Sequence, residues 1–306
     1  MFKQLAAGDS NNTGLDDADW WGPLFYRRDT RRMYNVGFGS AKSTSINSAG
    51  PWPEDFTYDN ADNENKLFGS EIDQTLFLTF WESPSLLVAE HNGGAWVKTS
   101  IDFAVGERVS GVYASREHPG ECWVGLLSAS GDPKLYHTTD PTWQSWDDLT
   151  GTLDVVGRVQ AVVATPFDPD RIFVGTDIGV FVTSNGGTTW EPFQEGLPIV
   201  RCTDLRYLID PTGIEPHKLI VSTFGRGVYE RLIAGTPIVY VDQENRFGLE
   251  DGAFERPFDS LQEGRRETPL GGTLALRGGT YSVSAPFTLS DPMTIRAYDG
   301  TATIEP

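Results

Sequence analysis

The sequence predicts an all-β protein built from repeated four-stranded units, the blades of a β-propeller, and three observations lead to it. Glycine and proline, 33 and 19 of the 306 residues, recur at short intervals and separate short segments rich in β-branched and aromatic residues. Helical periodicity is confined to residues 258–266, where Asp259 or Ser260 can cap one or two turns. The third observation is an internal repeat.

The repeat has an offset of fifty residues. Arg116–Gly125 reads REHPGECWVG and Pro166–Gly175 reads PFDPDRIFVG, so that the valine-glycine pair of one copy aligns with that of the other. A third copy, with a small insertion, covers residues 209–223. Each copy reads as a series of strands and turns, and four strands in about 40 to 50 residues are typical of a propeller blade.

We count four full units and a fifth, over residues 201–233, that lacks its fourth strand. The first two units, at residues 23–57 and 66–102, are less regular. Met1–Gly8, MFKQLAAG, resembles the segment Trp190–Gly196, WEPFQEG, and can therefore lend the missing strand and close the ring. We expect a propeller over residues 1–233, a linker over 234–237 and a separate module over 238–306.

A glycine-rich turn in the fourth unit carries the most specific motif of the propeller segment. Residues 183–190 read TSNGGTTW and resemble the Asp-box of sialidase-like, sortilin-like and xyloglucanase-like propellers. Asn185 can bond the backbone N–H groups of the turn, the glycines allow positive φ, and Trp190 is expected to wedge between sheets. Degenerate copies surround Trp96 and Trp146. The resemblance implies a structural role for the motif, carried by Thr183, Asn185, Gly187, Thr189 and Trp190.

The sequence after the linker changes in character. Strands are expected at Tyr240–Asp242, Gly271–Leu276 and Met293–Tyr298, with RGGTY at 277–281 as a turn. This segment resembles the first coil of right-handed parallel β-helix proteins of the pectate-lyase-like class. The resemblance implies no assembled lyase site, because the catalytic residues of that class lie on later coils, and it leaves Arg265, Arg266 and Arg277 solvated or salt-bridged. Since a coil buries its face only against neighbours, the tail docks on the propeller through its open apolar end, contacts another chain, or comes from a truncated product.

Charge and hydropathy exclude several classes of partner. The chain has 43 acidic and 24 basic side chains, a net charge of −19, and no basic run, which disfavours nucleic acid and acidic lipid. No apolar stretch reaches the roughly 18 residues of a membrane helix, and residues 1–12 lack a signal-peptide pattern. Cys122 and Cys202 lie in apolar sequence, so we expect them to pack as small hydrophobic residues, with a disulfide as the alternative.

Candidate ligand-binding residues follow from the strand scheme. In a propeller the second-to-third-strand turns and the links between units line the usual ligand face, and the acidic and basic side chains expected there are Asp132, Asp177, Glu195, Arg201 and Arg226. Asp177 and Arg226 are the pair best placed to meet a polar ligand; the alternative is that they only solvate exposed turns. Trp20 and Trp21 are candidates for stacking on a sugar ring, with packing in the core as the alternative.

One loop resembles a calcium site. Asp9, Asn11, Thr13 and Asp17 take the first, third, fifth and ninth places of a calcium loop, with glycine at the sixth. The twelfth place holds Trp20 instead of a bidentate glutamate. Two alternatives therefore remain for this segment: a calcium-binding loop, or an ordinary polar connecting loop. No cofactor is required.

Two functions from different classes remain. The favoured one is a non-catalytic binding or assembly protein, secreted or at the cell surface by fold resemblance, that recognises a glycan or a protein through propeller-face loops. The alternative is a diverged or incomplete glycoside hydrolase or polysaccharide lyase; an inverting glycosidase needs two carboxyl groups about 6.5 to 9.5 Å apart. A sialidase would need an R-I-P motif, but Arg171-Ile172 is followed by Phe173. Oligomeric state, ligand identity and ring completeness are left open.

Overall fold

The computed structural model describes residues 24–27, 32–37, 40–45, 54–57, 64–70, 72, 74–80, 83–92, 94–153, 157–212, 217–245, 248–283 and 292–305. The chain divides into two compact units. Unit 1 comprises Met1–Ala114 and Gly120–Val159, and unit 2 comprises Ser115–Pro119 and Gln160–Pro306. The boundaries proposed from sequence at residues 233 and 237 stay a prediction.

Unit 1 contains three four-stranded sheets in its described residues, and neighbouring strands are antiparallel and consecutive in the chain. The first sheet consists of β1 (Leu24–Arg27), β2 (Arg32–Gly37), β3 (Ser40–Ser45) and β4 (Glu54–Thr57). The second consists of β5 (Glu64–Gly69), β6 (Thr75–Phe80), β7 (Ser85–Asn92) and β8 (Ala95–Asp102). The third consists of β9 (Arg108–Ala114), β10 (Cys122–Leu127), β11 (Pro133–Thr138) and β12 (Asp147–Asp148).

Two more sheets of this kind follow in the chain. The fourth consists of β13 (Val159–Thr165), β14 (Asp168–Thr176), β15 (Gly179–Thr183) and β16 (Glu191–Pro192). The fifth has three described strands, β17 (Cys202–Leu208), β18 (His217–Thr223) and β19 (Gly227–Ile233). Four full units and a fifth one strand short is the predicted count, which is confirmed for the described residues. The segment Met1–Gly8, predicted to supply the missing strand, lies outside them.

The fifty-residue repeat has a packing reason in the second strands β10 and β14. A Cβ added at Gly125 would overlap Val159 Cγ1 and lie 2.9 Å from the Val159 carbonyl oxygen, and one added at Gly175 would lie 2.8 Å from Cys202 Cβ. Val159 is the first residue of β13 and Cys202 is the first residue of β17, so each glycine faces the residue at which a later first strand begins. Only a residue without a side chain fits such an approach, and the fully buried valine before each glycine fixes the strand.

The C-terminal module of unit 2 is built from β20 (Ile238–Val241), α1 (Leu261–Glu267), β21 (Thr273–Ser282) and β22 (Thr294–Glu305). The three strands pair in parallel, which confirms the predicted β-helix-like module. The turn predicted at residues 277–281 is wrong: these residues continue β21, with a shift of register between Arg277 and Gly279. Side chains alternate between two faces: Val239 and Leu274 pack against Leu261 of the helix, whereas Tyr240 belongs to the opposite, outward face. Ser260 is the residue at the helix N-cap, but its hydroxyl makes no capping hydrogen bond.

Both cysteines are free thiols in buried positions. Burial raises the pKa of Cys202 to about 11, so this thiol packs as a small hydrophobic residue, as the sequence favoured. Among the described residues, no helix has both the length and the apolar character to span a bilayer.

Candidate functional site

The turn between β13 and β14 packs against the outward face of the parallel sheet. Phe167, at the tip of this turn, has φ of 57°, and its ring centroid lies 6.3 Å from that of Tyr240. The Arg296 guanidinium lies 5.6 Å from the same ring and donates to the Phe167 carbonyl oxygen at 3.2 Å. Positive φ costs a non-glycine residue on the order of 1–3 kcal/mol, and these contacts offset that strain.

Two other turns of unit 2 reach the same module. In Ser115–Pro119, which connects β9 to β10, the Glu117 carbonyl accepts a 2.7 Å hydrogen bond from the Asp299 backbone N–H, and the Arg116 guanidinium lies 5.1 Å from the Phe254 ring. Ile209, directly after β17, packs with the cluster around Tyr240. All three turns follow the first strand of a sheet, so the module contacts that end of the strands with its outward sheet face. The second-to-third-strand turns lie at the opposite strand ends, where the sequence placed the ligand face.

Asp177 pairs with Arg201 rather than with Arg226. Arg201 Nε lies 2.8 Å from Asp177 Oδ1, and Gln160 donates from Nε2 to the same oxygen at 2.8 Å. Asp177 occupies the turn between β14 and β15, and Arg201 ends the link before β17. The structure therefore brings together two of the predicted candidates, while Arg226 is exposed in the turn between β18 and β19.

Two exposed apolar side chains that the sequence did not single out belong to the same loops as this ion pair or to the loop in contact with it: Ile199 precedes Arg201 by two residues, and Phe224 contacts Arg201. Ile199 is 83% exposed and Phe224 is 70% exposed. The Phe224 backbone N–H donates to the Arg201 carbonyl oxygen at 2.9 Å, and the Arg201 guanidinium lies 5.8 Å from the Phe224 ring. An apolar residue at the tip of a turn was the available sequence signal. We call the surface formed by Asp177, Ile199, Arg201, Phe224 and Arg226 the unit 2 patch.

Glu195 occupies a separate place, beside the outer strand of the fifth sheet. Its Oε2 lies 3.3 Å from Arg231 Nη2, and its side chain is 89% exposed. The Arg231 guanidinium stacks 3.7 Å from the Phe193 ring centroid, and Phe193 packs edge-on against Phe173. These side chains border a small cavity of about 100 Å³ floored by Leu219 and Val221. Glu195 thus forms an exposed ion pair with Arg231 at the rim of this cavity.

Asp132 lines an open cleft of about 300 Å³ in unit 1, which we call the unit 1 cleft. The cleft lies between the β10–β11 turn and the link after β12, and its polar lining consists of Ser128, Ser130, Asp132, Lys134, Asp148, Thr150 and Thr152. Hydrogen bonds to Tyr136 and Glu107 raise the pKa of Lys134 to about 12. Asp132 is therefore placed, as predicted from the strand scheme, on a second-to-third-strand turn that faces an inter-sheet link.

The Asp-box-like turn connects the third and fourth strands of its sheet, β15 and β16. Asn185 Oδ1 accepts hydrogen bonds from the Thr183 hydroxyl and the Thr189 backbone N–H, both at 2.9 Å, and Asn185 Nδ2 donates to the Thr189 hydroxyl at 2.8 Å. The Thr183 hydroxyl also accepts from the Gly187 N–H at 3.1 Å, and Gly187 has φ of 87°. Trp190 is 7% exposed. These bonds stay within the turn, and the Gly186 N–H ties it to the Asp170 carbonyl oxygen of β14 at 3.0 Å, so the predicted residues have a structural role here.

The degenerate turn before Trp146 is organised by Asp140. Its Oδ1 accepts from the backbone N–H and hydroxyl of Thr142, and its Oδ2 accepts from the N–H groups of Gln144 and Ser145. The buried indole, however, is Trp143, which packs edge-on against Phe77 of β6 with φ of 61°.

The copy at Trp96 takes a different form. Asn92 pairs directly with Ala95 across a two-residue hairpin between β7 and β8, and Trp96 lies in β8 against His91. The predicted position between third and fourth strands is confirmed, although the described hairpin carries no side-chain cap of the Asn185 kind.

Several predicted residues lie outside the described part of the chain: the stacking candidates Trp20 and Trp21, and the calcium candidates Asp9, Asn11, Thr13 and Asp17. In the C-terminal module, Arg277 is salt-bridged, with Nη1 2.9 Å from Asp242 Oδ2 and Nε 2.8 Å from Asp299 Oδ2.

Three carboxylates of the module have ligand atoms within 4.8 Å of one another: Glu250, Asp259 and Glu263. Burial, followed by the charge of Asp259, raises the pKa of Glu250. No other feature of the described residues around them points to an ion, so we assign no metal to this group.

Comparison with known proteins identifies the fold. No family model and no curated protein matches the chain. The Cps50 (Swd1) β-propeller domain of Myceliophteria thermophila matches with a TM-score of 0.51 and 14% identity over 70% of this chain and 65% of that one. YCF48 from Cyanidioschyzon merolae (TM-score 0.49, 11% identity, 66% of each chain) and Sqt1 of Saccharomyces cerevisiae (0.49, 9%, 74% and 67%) match similarly. Each alignment spans about two thirds of the other chain. Together with the four-stranded antiparallel sheets, the Swd1 match shows a β-propeller fold.

Proposed function

We propose that this chain is a non-catalytic binding or assembly protein that holds a protein partner on the unit 2 patch. The carrying observation is the exposure of Ile199 and Phe224, 83% and 70%. Ile199 precedes Arg201 by two residues in the chain, and the Phe224 backbone N–H donates to the Arg201 carbonyl oxygen. Large apolar side chains left in water beside an arginine have the composition of interface hot spots. Asp177 holds the Arg201 guanidinium in place, so the patch is largely preorganised.

The position of the C-terminal module supports this assignment. The module covers turns that follow first strands, through Phe167, Ile209 and Glu117. The patch is formed at the other strand ends, by turns that follow second strands and by the link before β17. A partner on the patch therefore does not compete with the module.

A protein partner fits the patch better than a glycan or a glycosidase substrate. Sugar sites combine a stacking ring with several polar groups, whereas the patch presents two apolar side chains and one carboxylate. That carboxylate, Asp177, already accepts hydrogen bonds from Arg201 and Gln160. The paired free carboxyl groups of an inverting glycosidase are not present among the described residues of the patch.

The finer family assignment and the location belong to the same proposal. The turn closed by Thr183 and Asn185 supports a propeller of the Asp-box type, and the three parallel strands with α1 support a module of the pectate-lyase-like class. Resemblance to these families supports a secreted or surface location, which fractionation of the source cells tests. Calcium at Asp9–Asp17 is retained as a prediction.

Site-specific photo-crosslinking tests the function. A benzophenone amino acid at Ile199 of the full chain should crosslink one partner from an extract of the source organism, and the same group at Leu270, 74% exposed in the module, should not. With the purified partner, Phe224→Ala should weaken binding by about 30-fold, the effect of losing a hot spot of about 2 kcal/mol. Leu270→Ala should leave the affinity unchanged.

Two results would contradict the proposal. Equal affinity of the Phe224→Ala variant and the native chain would remove the patch as the binding surface. A glycan array at varied calcium, followed by a reducing-end assay on each hit, addresses the alternative function; release of new reducing ends would show an enzyme.

A further inference from the structure

The hydrogen bonds within the unit 1 cleft show which polar atoms of its two aspartates are left for a ligand. On the β10–β11 turn, Ser130 donates to Asp132 Oδ2 at 2.5 Å, and the Ser128 and Ser130 hydroxyl oxygens lie 2.8 Å apart. Because the Ser130 hydrogen goes to Asp132, the Ser128 hydrogen goes to Ser130. Both serine hydrogens are therefore used within the turn and are not available to a ligand.

Two other polar side chains of the cleft, Lys134 and Thr150, are also hydrogen-bonded within it. Lys134 donates to Tyr136 at 3.2 Å and lies 3.1 Å from Glu107, whose side chain is 4% exposed and neutralises the ammonium charge. Thr150 accepts from the Leu135 N–H at 3.3 Å and donates its own N–H to Asp148 Oδ1 at 2.9 Å.

Two carboxylate oxygens remain open. Within the described residues, neither Asp132 Oδ1 nor Asp148 Oδ2 has a hydrogen-bond or ion-pair partner, and both side chains are exposed to the cleft mouth. A ligand that complements this lining must bring donors and positive charge. A sugar hydroxyl brings one donor and also acceptors, whereas a guanidinium brings five donors and no acceptor.

We propose that the unit 1 cleft binds an arginine side chain of a basic peptide segment, held between Asp132 and Asp148. The cleft volume of about 300 Å³ is at the lower end of the range of small-ligand sites, roughly 300–1,000 Å³, and suits one side chain. The net charge of −19 attracts such a segment from a distance. The cleft lies in unit 1, so this proposal is independent of the unit 2 patch.

Fluorescence anisotropy on the full chain with a fluorescein-labelled hexa-arginine amide at 150 mM NaCl tests the proposal. The double variant Asp132→Asn, Asp148→Asn should bind at least about tenfold more weakly, because each substitution removes a charge-assisted hydrogen bond to the guanidinium. Asparagine keeps an acceptor oxygen for Ser130 and for Thr150, and a thermal melt equal to that of the native chain verifies the fold. Phe224→Ala should bind the peptide as the native chain does.

The matched control removes the same charge elsewhere. Glu191→Gln, Glu230→Gln changes two exposed carboxylates of unit 2 and should leave the affinity within about twofold. An equal loss of peptide affinity in this control would show that only the net charge of the chain matters, and it would overturn the proposal. Absence of peptide binding, or binding of cellohexaose that disappears in the aspartate variant, would overturn it as well.

Discussion

The turns at Asn185 and Asp140 occupy the same place in successive sheets. Both bind the backbone N–H groups of the turn with one side chain, but they bury different tryptophans. Both connect a third strand to a fourth, and in both one side chain accepts the N–H groups of the turn. They differ in which tryptophan is buried: Trp190 comes five residues after Asn185, whereas Trp143 comes three residues after Asp140. Local sequence spacing therefore decides which residue caps the turn. Packing against the neighbouring sheet decides which tryptophan is buried.

Trp143 shows why the second turn departs from the motif. Its ring lies 5.6 Å from that of Phe77 in β6, and its Nε1–H donates to Glu90 of β7 at 3.1 Å. It joins a cluster of side chains from the second and third sheets of unit 1. Trp146, which the motif spacing favours, instead donates to the Trp143 carbonyl at 3.0 Å and is half-buried. The packing of the Trp143 ring between two sheets offsets the backbone strain of its positive φ.

The largest expected difference within this comparison is between the two tryptophans of the Asp140 turn. Trp143→Ala should lower the free energy of unfolding of unit 1 by about 3–5 kcal/mol, because it empties the space between two sheets. Trp146→Ala should have a smaller effect, since its ring is half-buried against Phe103. Urea unfolding followed by circular dichroism measures both, and a larger loss for Trp146→Ala would contradict the assignment.

The repeated glycines offer the next test. Gly125→Ala should destabilise the chain by about 1–3 kcal/mol through overpacking, and more than Gly175→Ala. The reason is that Gly125 faces a backbone oxygen of Val159 as well as its side chain, whereas Gly175 faces the side chains of Cys202 and Leu205. Thermal unfolding compares the two. Adding Val159→Ala to Gly125→Ala should recover part of the loss, and a double variant that loses the full sum of both effects would show that no contact is shared.

The smallest difference is in the pH dependence of the two caps. Hydrogen bonds from Thr142, first its hydroxyl and then its backbone N–H, lower the pKa of Asp140 in the folded chain. A lowered folded-state pKa stabilises the fold above the unfolded value, near pH 4, and this contribution disappears as the pH falls through the folded value. The stability difference between the native chain and Asp140→Asn should therefore shrink between pH 6 and pH 3.

The Asn185 turn is the matched control for this titration. Its cap is a neutral amide, so the difference between the native chain and Asn185→Ala should stay constant over the same pH range. Urea midpoints at four pH values measure both differences. A constant difference for Asp140→Asn would show that the carboxylate is not held more tightly when folded.

Much of the fold was predictable because its signals are local. The alternation of strands and turns, the Val-Gly repeat and the change in pattern after Ile233 located four full sheets, a fifth one strand short and a parallel module. The candidate site was less predictable. Asp177, Arg201 and Arg226 were all named as residues of the ligand face, but the ion pair between Asp177 and Arg201 was not foreseen, since spacing along the chain does not show which side chains on neighbouring loops meet.

The apolar part of the patch was missed for a related reason. The position of Ile199 and Phe224 in a link and a turn was the available sequence signal, but it does not tell whether an apolar side chain packs inward, and their exposure is decided by the tertiary structure. The same holds for the unit 1 cleft, whose two aspartates, Asp132 and Asp148, are 16 residues apart in the chain and line one cleft only in the folded structure.

Sequence by itself determined the strand rhythm and the capped turns, because hydrogen bonds between near neighbours and side-chain alternation depend only on short spacings; the parallel order of the last module was implied by family resemblance. Tertiary structure decided that Trp143 and not Trp146 is buried, that Gly125 and Gly175 meet the next first strand, and that Phe167 binds Tyr240 of the module. Each of these depends on residues far apart in the chain, and packing, which fills the space available, selects among locally equivalent choices.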